Sequence, residues 1–296
     1  MNIDLLRLFV STFQKGSFAA VALQLNISPS SVSRAVANLE KQLNTRLFQR
    51  STRTLKPTQA GIEYYERIRT ILDELDNLHE DIKYGKDSPS GTVKVSASTT
   101  FGQRVLPAIT KAFYEKFPHI NLELSLSDNR LDLIENQIDV AIRHGALSDS
   151  SLIARKLISV NYFLVATPAY LDTHPLLTPE DLVNHQIVSF NYSDFRKQWH
   201  FTKDNSTKSI SITPFLQTTN AGMIRECVLQ DMGIALLADW TTNEDIAQGK
   251  LVRLLPDYLI SGDTPQTAIW MVQPSRSYIP RNVLAFTEFL FNHFNN

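Results

Sequence analysis

A cluster of hydrogen-bonding side chains beside one cation lies at residues 28–34, SPSSVSR. Ser28 can cap a helix, because its hydroxyl accepts a free backbone N–H of the first turn, and Pro29 fits the first helical position. Apolar residues recur at helical spacing on one side, so the serines and Arg34 lie on another side, which suits a DNA groove. An ordinary amphipathic helix with a solvated polar face is the alternative. The apolar positions in this stretch, 28–47, are Val32, Val36, Leu39 and Leu43.

Two shorter helices are predicted before this one. The first covers roughly residues 3–15 and ends at Gly16, which readily adopts the left-handed conformation of a helix end. Ser17 then caps a helix over 18–25, and Asn26-Ile27 forms a turn. Two helices joined by a short turn, the second with a polar N-terminus, are typical of a helix-turn-helix, whose second (recognition) helix enters the major groove.

Positive charge is concentrated around the predicted recognition helix. Residues 1–60 contain eight Lys/Arg and two Asp/Glu, whereas residues 61–88 contain four and eight, and the whole chain has a net charge of −1. A compact basic segment joined to a mildly acidic body is typical of a nucleic-acid module attached to another domain. Double-stranded DNA is therefore the expected partner.

In residues 47–58, apolar and polar residues alternate on both sides of a polar Ser-Thr-Arg-Thr tip. This pattern predicts a β-hairpin wing. Arg50, Arg53 and Lys56 are spaced to reach phosphates or an adjacent minor groove. Such contacts position the module and make its affinity salt-dependent. A loop whose cations only improve solubility is the alternative.

A long helix is predicted from Gln59 to about Lys86, with Thr58 as its cap. Its apolar residues are separated by alternating four and three positions, the spacing of a coiled coil, so we expect it to pair with a copy of itself. A helix that lies on its own domain is the alternative. Pairing would present two modules to two symmetric half-sites. The expected dimerisation residues are Tyr64, Ile68, Ile71, Leu75, Leu78 and Ile82.

Residues 86–91, KDSPSG, form a polar linker and the main predicted boundary. Beyond it strand and helix patterns alternate, which predicts parallel α/β sheet in two lobes around a hinged cleft, where ligands bind at the carboxyl ends of strands. We expect the last strand and helix to return to the first lobe. The predicted strands are 92–98, 121–126, 139–143, 187–191, 209–216, 233–237 and 268–273, and the predicted helices are 105–117, 131–136, 221–229, 241–248 and 281–293.

Length and composition exclude other classes. A chain of 296 residues can form two or three domains, and its single cysteine, Cys227, excludes an internal disulfide and an ordinary cysteine-based metal site. The N-terminus lacks the features of a signal peptide and no apolar run could span a bilayer, which predicts a cytoplasmic protein. An α/β enzyme is an alternative, but the phosphate-loop, GxGxxG, GxSxG and HExxH motifs are missing, so no cofactor is expected.

Four stretches of the chain resemble one known family. The run FVSTFQKGSFAAVALQLNISPSSVSRAVANLEKQLNTRLFQRSTRTLKPTQAG resembles the winged helix-turn-helix of LysR-type transcriptional regulators. The runs DVAIRHGALSDSSLIARKL, TPAYL and MGIALLADW resemble the effector-binding domain of that family. The resemblance implies a bacterial homodimeric or homotetrameric regulator of promoter DNA, whose periplasmic-binding-protein-like lobes bind a small inducer, with RNA polymerase as a further partner.

The resemblance also implies an architecture. It divides the chain into a winged helix-turn-helix at 1–58, a linker helix at 59–88 and an α/β effector-binding domain at 89–296. The first lobe of that domain covers about 89–164 and 267–296, and the second lobe covers about 165–266. An architectural DNA-binding protein that binds no ligand is the second reading. Bulky apolar side chains that close the cleft would favour it, whereas a solvated cleft lined by Ser98, Thr100 and Arg143 would favour a sensor.

Several residues match the family position by position. The DNA-facing positions are Ser28, Pro29, Ser30, Ser31, Ser33 and Arg34, with Arg50 and Arg53 in the wing. Three residues at the end of the first sensor strand match a loop that holds the polar or anionic group of an inducer, and four others match positions that line the cleft. The first set is Ser98, Thr99 and Thr100, and the second is Arg143, His144, Thr219 and Asn220.

Alternatives and departures accompany these matches. Helix capping is the alternative for 98–100, and a structural ion pair is the alternative for Arg143. Asn44 stands where the family often has the glycine that ends the recognition helix, and it tolerates the same left-handed conformation. Asp231 and Ala238 replace a glycine and a proline that the family often has near the cleft, so the identity of the inducer does not carry over.

Overall fold

The computed structural model describes the chain in two compact units that divide at Gly91. The tip of the predicted wing, with Arg53, lies outside the described residues, as do 85–88 of the predicted linker and most of the predicted helix over 131–136. Within the described part of the chain, no helix is long and apolar enough to cross a membrane. The described residues are 2–50, 55–84, 89–129, 133, 136, 138–145, 152–193, 195, 197–262, 267–275 and 279–295.

Helices and one hairpin form the first unit, and local caps fix where the helices end. Gly16, Asn26 and Asn44 end the first three helices in the left-handed conformation, with φ values of 60°, 55° and 50°. The helix over 18–25 is confirmed, and the recognition helix ends at Leu43. The elements are α1 (Ile3–Lys15), α2 (Phe18–Leu25), α3 (Pro29–Leu43), β1 (Phe48–Arg50), β2 (Leu55–Pro57) and α4 (Gln59–Tyr84).

The first half of α4 packs against its own unit. Tyr65, Ile68 and Leu72 are buried in the same apolar core as Phe9 of α1, and Tyr64 packs against that core. The predicted coiled-coil stripe is therefore corrected in its first half, where Tyr64 and Ile68 serve the core of their own unit. The later stripe residues Ile71, Leu78 and Ile82 are 54%, 54% and 78% exposed, and Leu75 is half-buried.

Strands and helices alternate through the second unit, which has two lobes. In chain order its elements are β3 (Gly91–Ala97), α5 (Thr99–Arg104), α6 (Leu106–Lys116), β4 (Ile120–Leu126), β5 (Val140–Gly145), β6 (Leu152–Val160), β7 (Tyr162–Ala166), α7 (Pro168–Thr173), a 3₁₀ turn (Pro179–Asn184), β8 (Val188–Phe190), β9 (Gln198–Lys203), β10 (Ser206–Ser211), β11 (Leu216–Thr218), α8 (Ala221–Leu229), β12 (Ala235–Ala238), α9 (Asp239–Ala247), β13 (Val252–Leu254), β14 (Leu259–Ser261), β15 (Thr267–Pro274) and α10 (Arg281–Asn295).

The sheet of the first lobe is mixed. Its strand order is β4-β3-β5-β15-β6. Strands β3 and β5 are parallel, but β15 runs antiparallel to both of its neighbours, which corrects the predicted parallel sheet. Strand β15 arrives from the distant end of the chain, and alternation of strands and helices does not determine the direction of such a strand.

The main sheet of the second lobe is antiparallel wherever its strand pairs are described, in the order β10-β9-β14-β7-β12, with β13 also paired to β7. The predicted parallel arrangement is confirmed for β8, which pairs in parallel with β11 and is preceded by a parallel bridge from Ile187 to Ile234 beside β12. It is wrong for the strands paired with β7 and β9, which are antiparallel. The predicted strand over 209–216 is divided between β10 and β11. Because β7 lies in this sheet, the chain crosses between the lobes at Asn161.

Candidate nucleic-acid interface and effector cleft

The tip of α3 is organised by the hydroxyl of Ser28. This oxygen accepts the backbone N–H of Ser31 at 3.1 Å and lies 2.8 Å from the hydroxyl oxygens of both Ser30 and Ser31. Pro29 occupies the first turn, where its missing N–H leaves no donor unpaired. The capped start predicted from the sequence is confirmed, and it fixes three hydroxyl groups at the end of one helix.

Most of the predicted DNA-facing residues point to solvent. Ser28, Pro29, Ser30, Ser31 and Arg34 are exposed, and Ser33 is half-buried. The guanidinium Nε of Arg34 donates to the Ser30 carbonyl at 3.3 Å, which orients the cation along the tip. On the opposite side of α3, Val32, Val36 and Leu39 are fully buried. The N-terminal tip of the helix therefore presents a hydroxyl-rich surface beside the cation of Arg34.

The wing is attached to the recognition helix by a buried carboxylate. Glu40, only 5% exposed, accepts the backbone N–H groups of Leu47 and Phe48 on Oε1, at 2.9 and 3.1 Å. Its Oε2 lies 3.4 Å from the guanidinium of Arg46. Sequence reasoning missed Glu40, because a glutamate in a helix usually faces solvent. The sequence did contain a sign of its burial, because Glu40 comes four residues after Val36 and one after Leu39, on the apolar side of the helix.

The hairpin itself is antiparallel, with Gln49 opposite Lys56. Lys56 is exposed, the backbone of Arg50 lies in β1, and Arg53 lies outside the described residues. Two contacts hold the start of α4 beneath this hairpin. The Thr58 hydroxyl donates to the Arg46 carbonyl at 2.8 Å and accepts the Gly61 N–H at 3.0 Å, as predicted for a helix cap.

Residues 98–100 lie where β3 meets α5. Ser98 occupies the N-cap position but its side chain makes no capping hydrogen bond, so the capping alternative does not describe it. The Thr99 N–H donates to Oδ1 of Asp128 at 3.0 Å. Thr100 is 3% exposed, and its hydroxyl oxygen accepts the N–H of Gly222 in the second lobe at 2.8 Å. Thr100 therefore joins the two lobes rather than facing open solvent.

Asp128 and Asn220 form a second contact between the lobes. The Asn220 amide donates to Oδ2 of Asp128 at 2.7 Å, and its Oδ1 caps α8 by accepting the Met223 N–H at 2.8 Å. The carbonyl of Thr219 accepts the hydroxyl of Tyr192 at 3.1 Å. Asp128 was missed from the sequence, although it follows β4 at a carboxyl end, where ligands and lobe contacts concentrate.

Arg143 and His144 do not line the same surface. Neighbouring residues of a strand point to opposite faces. The Arg143 guanidinium donates to the hydroxyl of the buried Ser96 at 3.0 Å, whereas the His144 ring contacts the rings of Tyr162 and Trp240, with centroids 5.9 and 6.4 Å away. His144 is therefore the one that contacts rings of the second lobe, and the expectation that both residues line one cleft stays a prediction.

His144 is surrounded by protein but open to solvent on one side. Desolvation lowers the pKa of the His144 imidazole to about 4, and the nearby Asp239 carboxylate opposes that shift. Desolvation is the larger of the two effects, so the imidazole is neutral at pH 7. A neutral imidazole carries one donor and one acceptor, so His144 adds no positive charge at the boundary between the lobes.

Comparison with known proteins decides the family. Residues 3–62 match the family described as bacterial regulatory helix-turn-helix protein, lysR family, and residues 86–295 match the LysR substrate binding domain. The chain belongs to the LysR family. It is a LysR-type transcriptional regulator with a helix-turn-helix and a two-lobed substrate-binding domain, as the resemblance implied.

Relatives of this LysR-type regulator share its full length. The transcriptional regulator CrgA of Neisseria meningitidis serogroup C (strain 8013) is 32% identical over 298 residues, which cover 100% of this chain and 98% of CrgA. PtxR of Pseudomonas aeruginosa is 31% identical over 294 residues, covering 99% of this chain and 93% of PtxR. These relatives are named as transcriptional regulators, so the enzyme alternative is excluded.

Two solved structures of the family confirm the fold. The structure of CrgA from Neisseria meningitidis matches with a TM-score of 0.64 at 30% identity and covers 100% of both chains. The full-length structure of AphB, a virulence activator of Vibrio cholerae, matches with a TM-score of 0.59 at 30% identity, covering 99% of this chain and 100% of AphB. Both combine an N-terminal helix-turn-helix with a two-lobed regulatory domain, which confirms the predicted fold class.

Proposed function

We propose that this LysR-type regulator reads its operator with the exposed tip of α3 and steadies itself on phosphates with the wing. The observation that carries the proposal is the capped tip, where Ser28, Ser30 and Ser31 present hydroxyl groups to solvent beside Arg34. The N-terminal residues of a recognition helix are those that contact base edges. In this proposal Ser33 and Pro29 border the contact, and Arg50, Arg53 and Lys56 bind the backbone.

Dimerisation through the second half of α4 is part of the same proposal. Ile71, Leu78 and Ile82 remain exposed after the first half of the helix has packed on its own unit, and they lie with Leu75 at coiled-coil spacing. A second copy of α4 would cover this stripe. A homodimer then presents two recognition helices, and a homotetramer requires a further interface in addition to this stripe.

The effector site in this proposal lies between the lobes of the second unit, near Thr99, His144, Thr219 and Asn220. Bound effector would redistribute the contacts that Thr100 and Asp128 make to the second lobe, and thereby alter how the DNA-binding units engage the promoter. An anionic group at the start of α5 must displace the Asp128 carboxylate from the Thr99 N–H. The link between Thr100 and Gly222 favours the second candidate, an architectural protein, because it joins the lobes without a ligand.

The remaining parts of the proposal concern where the regulator acts in the cell and how it affects transcription. A regulator of promoter DNA acts in the cytoplasm of a bacterium, and a DNA-bound dimer can contact RNA polymerase. AphB is described as a virulence activator, which supports activation as one outcome for a related chain. RNA polymerase is therefore a proposed partner, together with operator DNA and a small effector.

Salt-dependent binding to fragments of the DNA that flanks the gene tests this function. We expect the full-length protein to prefer one fragment, with an affinity that falls steeply as salt rises, because Lys and Arg displace counterions from phosphates. Equal binding to every fragment would favour the architectural candidate. Arg34→Ala should weaken binding to the preferred fragment, and Thr100→Ala should leave that binding intact while it reduces the response to effector.

A further inference from the structure

A continuous row of rings runs between the lobes of the second unit. We name it the aromatic wall. Neighbouring ring centroids along it are 5.5, 6.4, 5.9, 5.1 and 5.4 Å apart, within the range of favourable aromatic contact. The first and third rings in the row belong to the first lobe and the others to the second. In order, the wall consists of Phe101, Trp240, His144, Tyr162, Phe195 and Phe190.

The aromatic wall is not a closed core. Phe101 and Tyr162 are buried, but Trp240, Phe195 and Phe190 are half-buried and His144 is exposed. Rings that only filled the interior would be covered on all sides, as Trp199 and Phe201 of β9 are in the second lobe. The wall therefore offers partly open ring faces and edges at the boundary of the two lobes.

One buried polar group of the aromatic wall lacks a partner within the described part of the chain. The Nε1–H of Trp240 is buried and has no hydrogen-bond acceptor there. The neighbouring His144 imidazole makes ring contacts with Tyr162 and Trp240. A buried donor without an acceptor costs about 1–3 kcal/mol, so an arrangement that supplies an acceptor is favoured. The other tryptophans differ, since Trp199 and Trp270 donate to backbone carbonyls at 3.1 and 2.9 Å.

We propose that the effector of this regulator is an aromatic compound whose ring packs against the aromatic wall at His144 and Trp240 and whose polar substituent accepts the Trp240 N–H. The inference rests on the proposed effector-binding role of the second unit. The substituent reaches Trp240 as the contact between Phe101 and Trp240 opens, so binding acts directly on a contact between the lobes. An aliphatic acid would use the polar residues near Thr99 and leave the wall unoccupied.

Calorimetric titration of the full-length protein with three carboxylates tests this inference. Benzoate and cyclohexanecarboxylate have the same charge and similar size and differ in whether the ring is aromatic, while succinate has no ring. We expect benzoate to bind about tenfold tighter than cyclohexanecarboxylate, because only an aromatic ring makes favourable edge-to-face contacts. Succinate should bind more weakly than either ring compound.

Variants connect the binding to the wall. His144→Ala and Trp240→Phe should each weaken benzoate binding about tenfold, the second by removing only the N–H and part of the ring. The control is His200→Ala, which removes an imidazole in β9 that contacts the Ser209 hydroxyl at 2.8 Å, and it should not change benzoate binding. Thermal unfolding and operator binding of each variant verify that it folds.

The alternative results separate the inference from the proposed function. Benzoate binding that is no tighter than that of cyclohexanecarboxylate, or that survives both wall substitutions, would overturn the aromatic assignment. Binding of succinate alone would overturn it too, while effector binding by the second unit would stand. If none of the three carboxylates binds at millimolar concentration, the aromatic assignment is overturned, whereas the effector-binding role, which does not depend on these three compounds, is not. Operator binding by the same preparation reports separately on DNA recognition.

Discussion

Glu40 of the recognition helix accepts the backbone N–H of Phe48, the first residue of the wing, at 3.1 Å. The same oxygen accepts the Leu47 N–H, so one buried carboxylate satisfies two amides between the helix and the hairpin. The two elements that we propose to contact DNA are therefore held in register by a residue that does not face it. Any change at Glu40 should act on both elements together.

Glu40→Ala should destabilise the first unit by about 1–3 kcal/mol, because the two amides lose their acceptor while remaining buried. Glu40→Gln keeps one acceptor oxygen and should lose less. Chemical denaturation of both variants measures the difference. Equal stability of Glu40→Ala and the unmodified protein would show that water replaces the carboxylate without cost.

Arg34→Ala should weaken operator binding by about 1–3 kcal/mol if the guanidinium contacts a base edge. The fold should not change, since Arg34 is exposed. Arg67→Ala on α4 is the matched control, because it removes the same charge from an exposed helical position away from the tip. Band-shift titration of both variants measures the effect, and equal losses for the two would refute the assignment of the α3 tip.

Ile82→Lys should dissociate the proposed dimer, because it places a charge in the apolar stripe of α4. Ile82 is 78% exposed, so the substitution should not harm the fold of the single chain. Ile62→Lys is the control on the same helix, since Ile62 is exposed but lies off the stripe. Sedimentation equilibrium measures the mass of the assembly formed by each variant. A dimer that tolerates Ile82→Lys but not Ile62→Lys would show that the interface lies on another face of α4.

Thr100→Val should loosen the contact between the lobes, because the Gly222 N–H loses its acceptor at an unchanged volume. We expect faster hydrogen exchange of the Gly222 amide, with operator affinity unchanged. Thr100→Ser keeps the hydroxyl and should preserve slow exchange. Equally fast exchange in the unmodified protein and in Thr100→Val would mean that this link does not persist in solution.

Local chemistry could be predicted from the sequence where one residue determines it. Ser28 with Pro29 predicts a helix start, and Gly16 and Asn44 predict helix ends, because few other residues satisfy the same backbone geometry. The apolar period predicts which side of α3 is buried. The structure confirms these predictions. They could be made from the sequence because each depends only on residues that are neighbours along the chain.

Features that depend on distant partners could not be predicted in the same way. Glu40 and Asp128 are charged residues whose partners lie across a turn or in another lobe. Strand β15 takes its direction from its pairing with β5 and β6, which lie more than a hundred residues earlier in the chain. Arg143 and His144 both match positions that line the cleft in the family, although the alternation of a strand places their side chains on opposite faces. The sequence therefore predicts the correct chain segments for the cleft between the lobes, but only part of the geometry of their side chains.

Selection of bound sequences from a random duplex library by the full-length protein tests the central claim most directly. A dimeric LysR-type regulator that reads DNA with the tip of α3 should enrich one motif with two symmetric half-sites, and Arg34→Ala should lose that enrichment while Arg67→Ala keeps it. Enrichment of no motif, or of the same motif by the Arg34→Ala protein, would contradict the account.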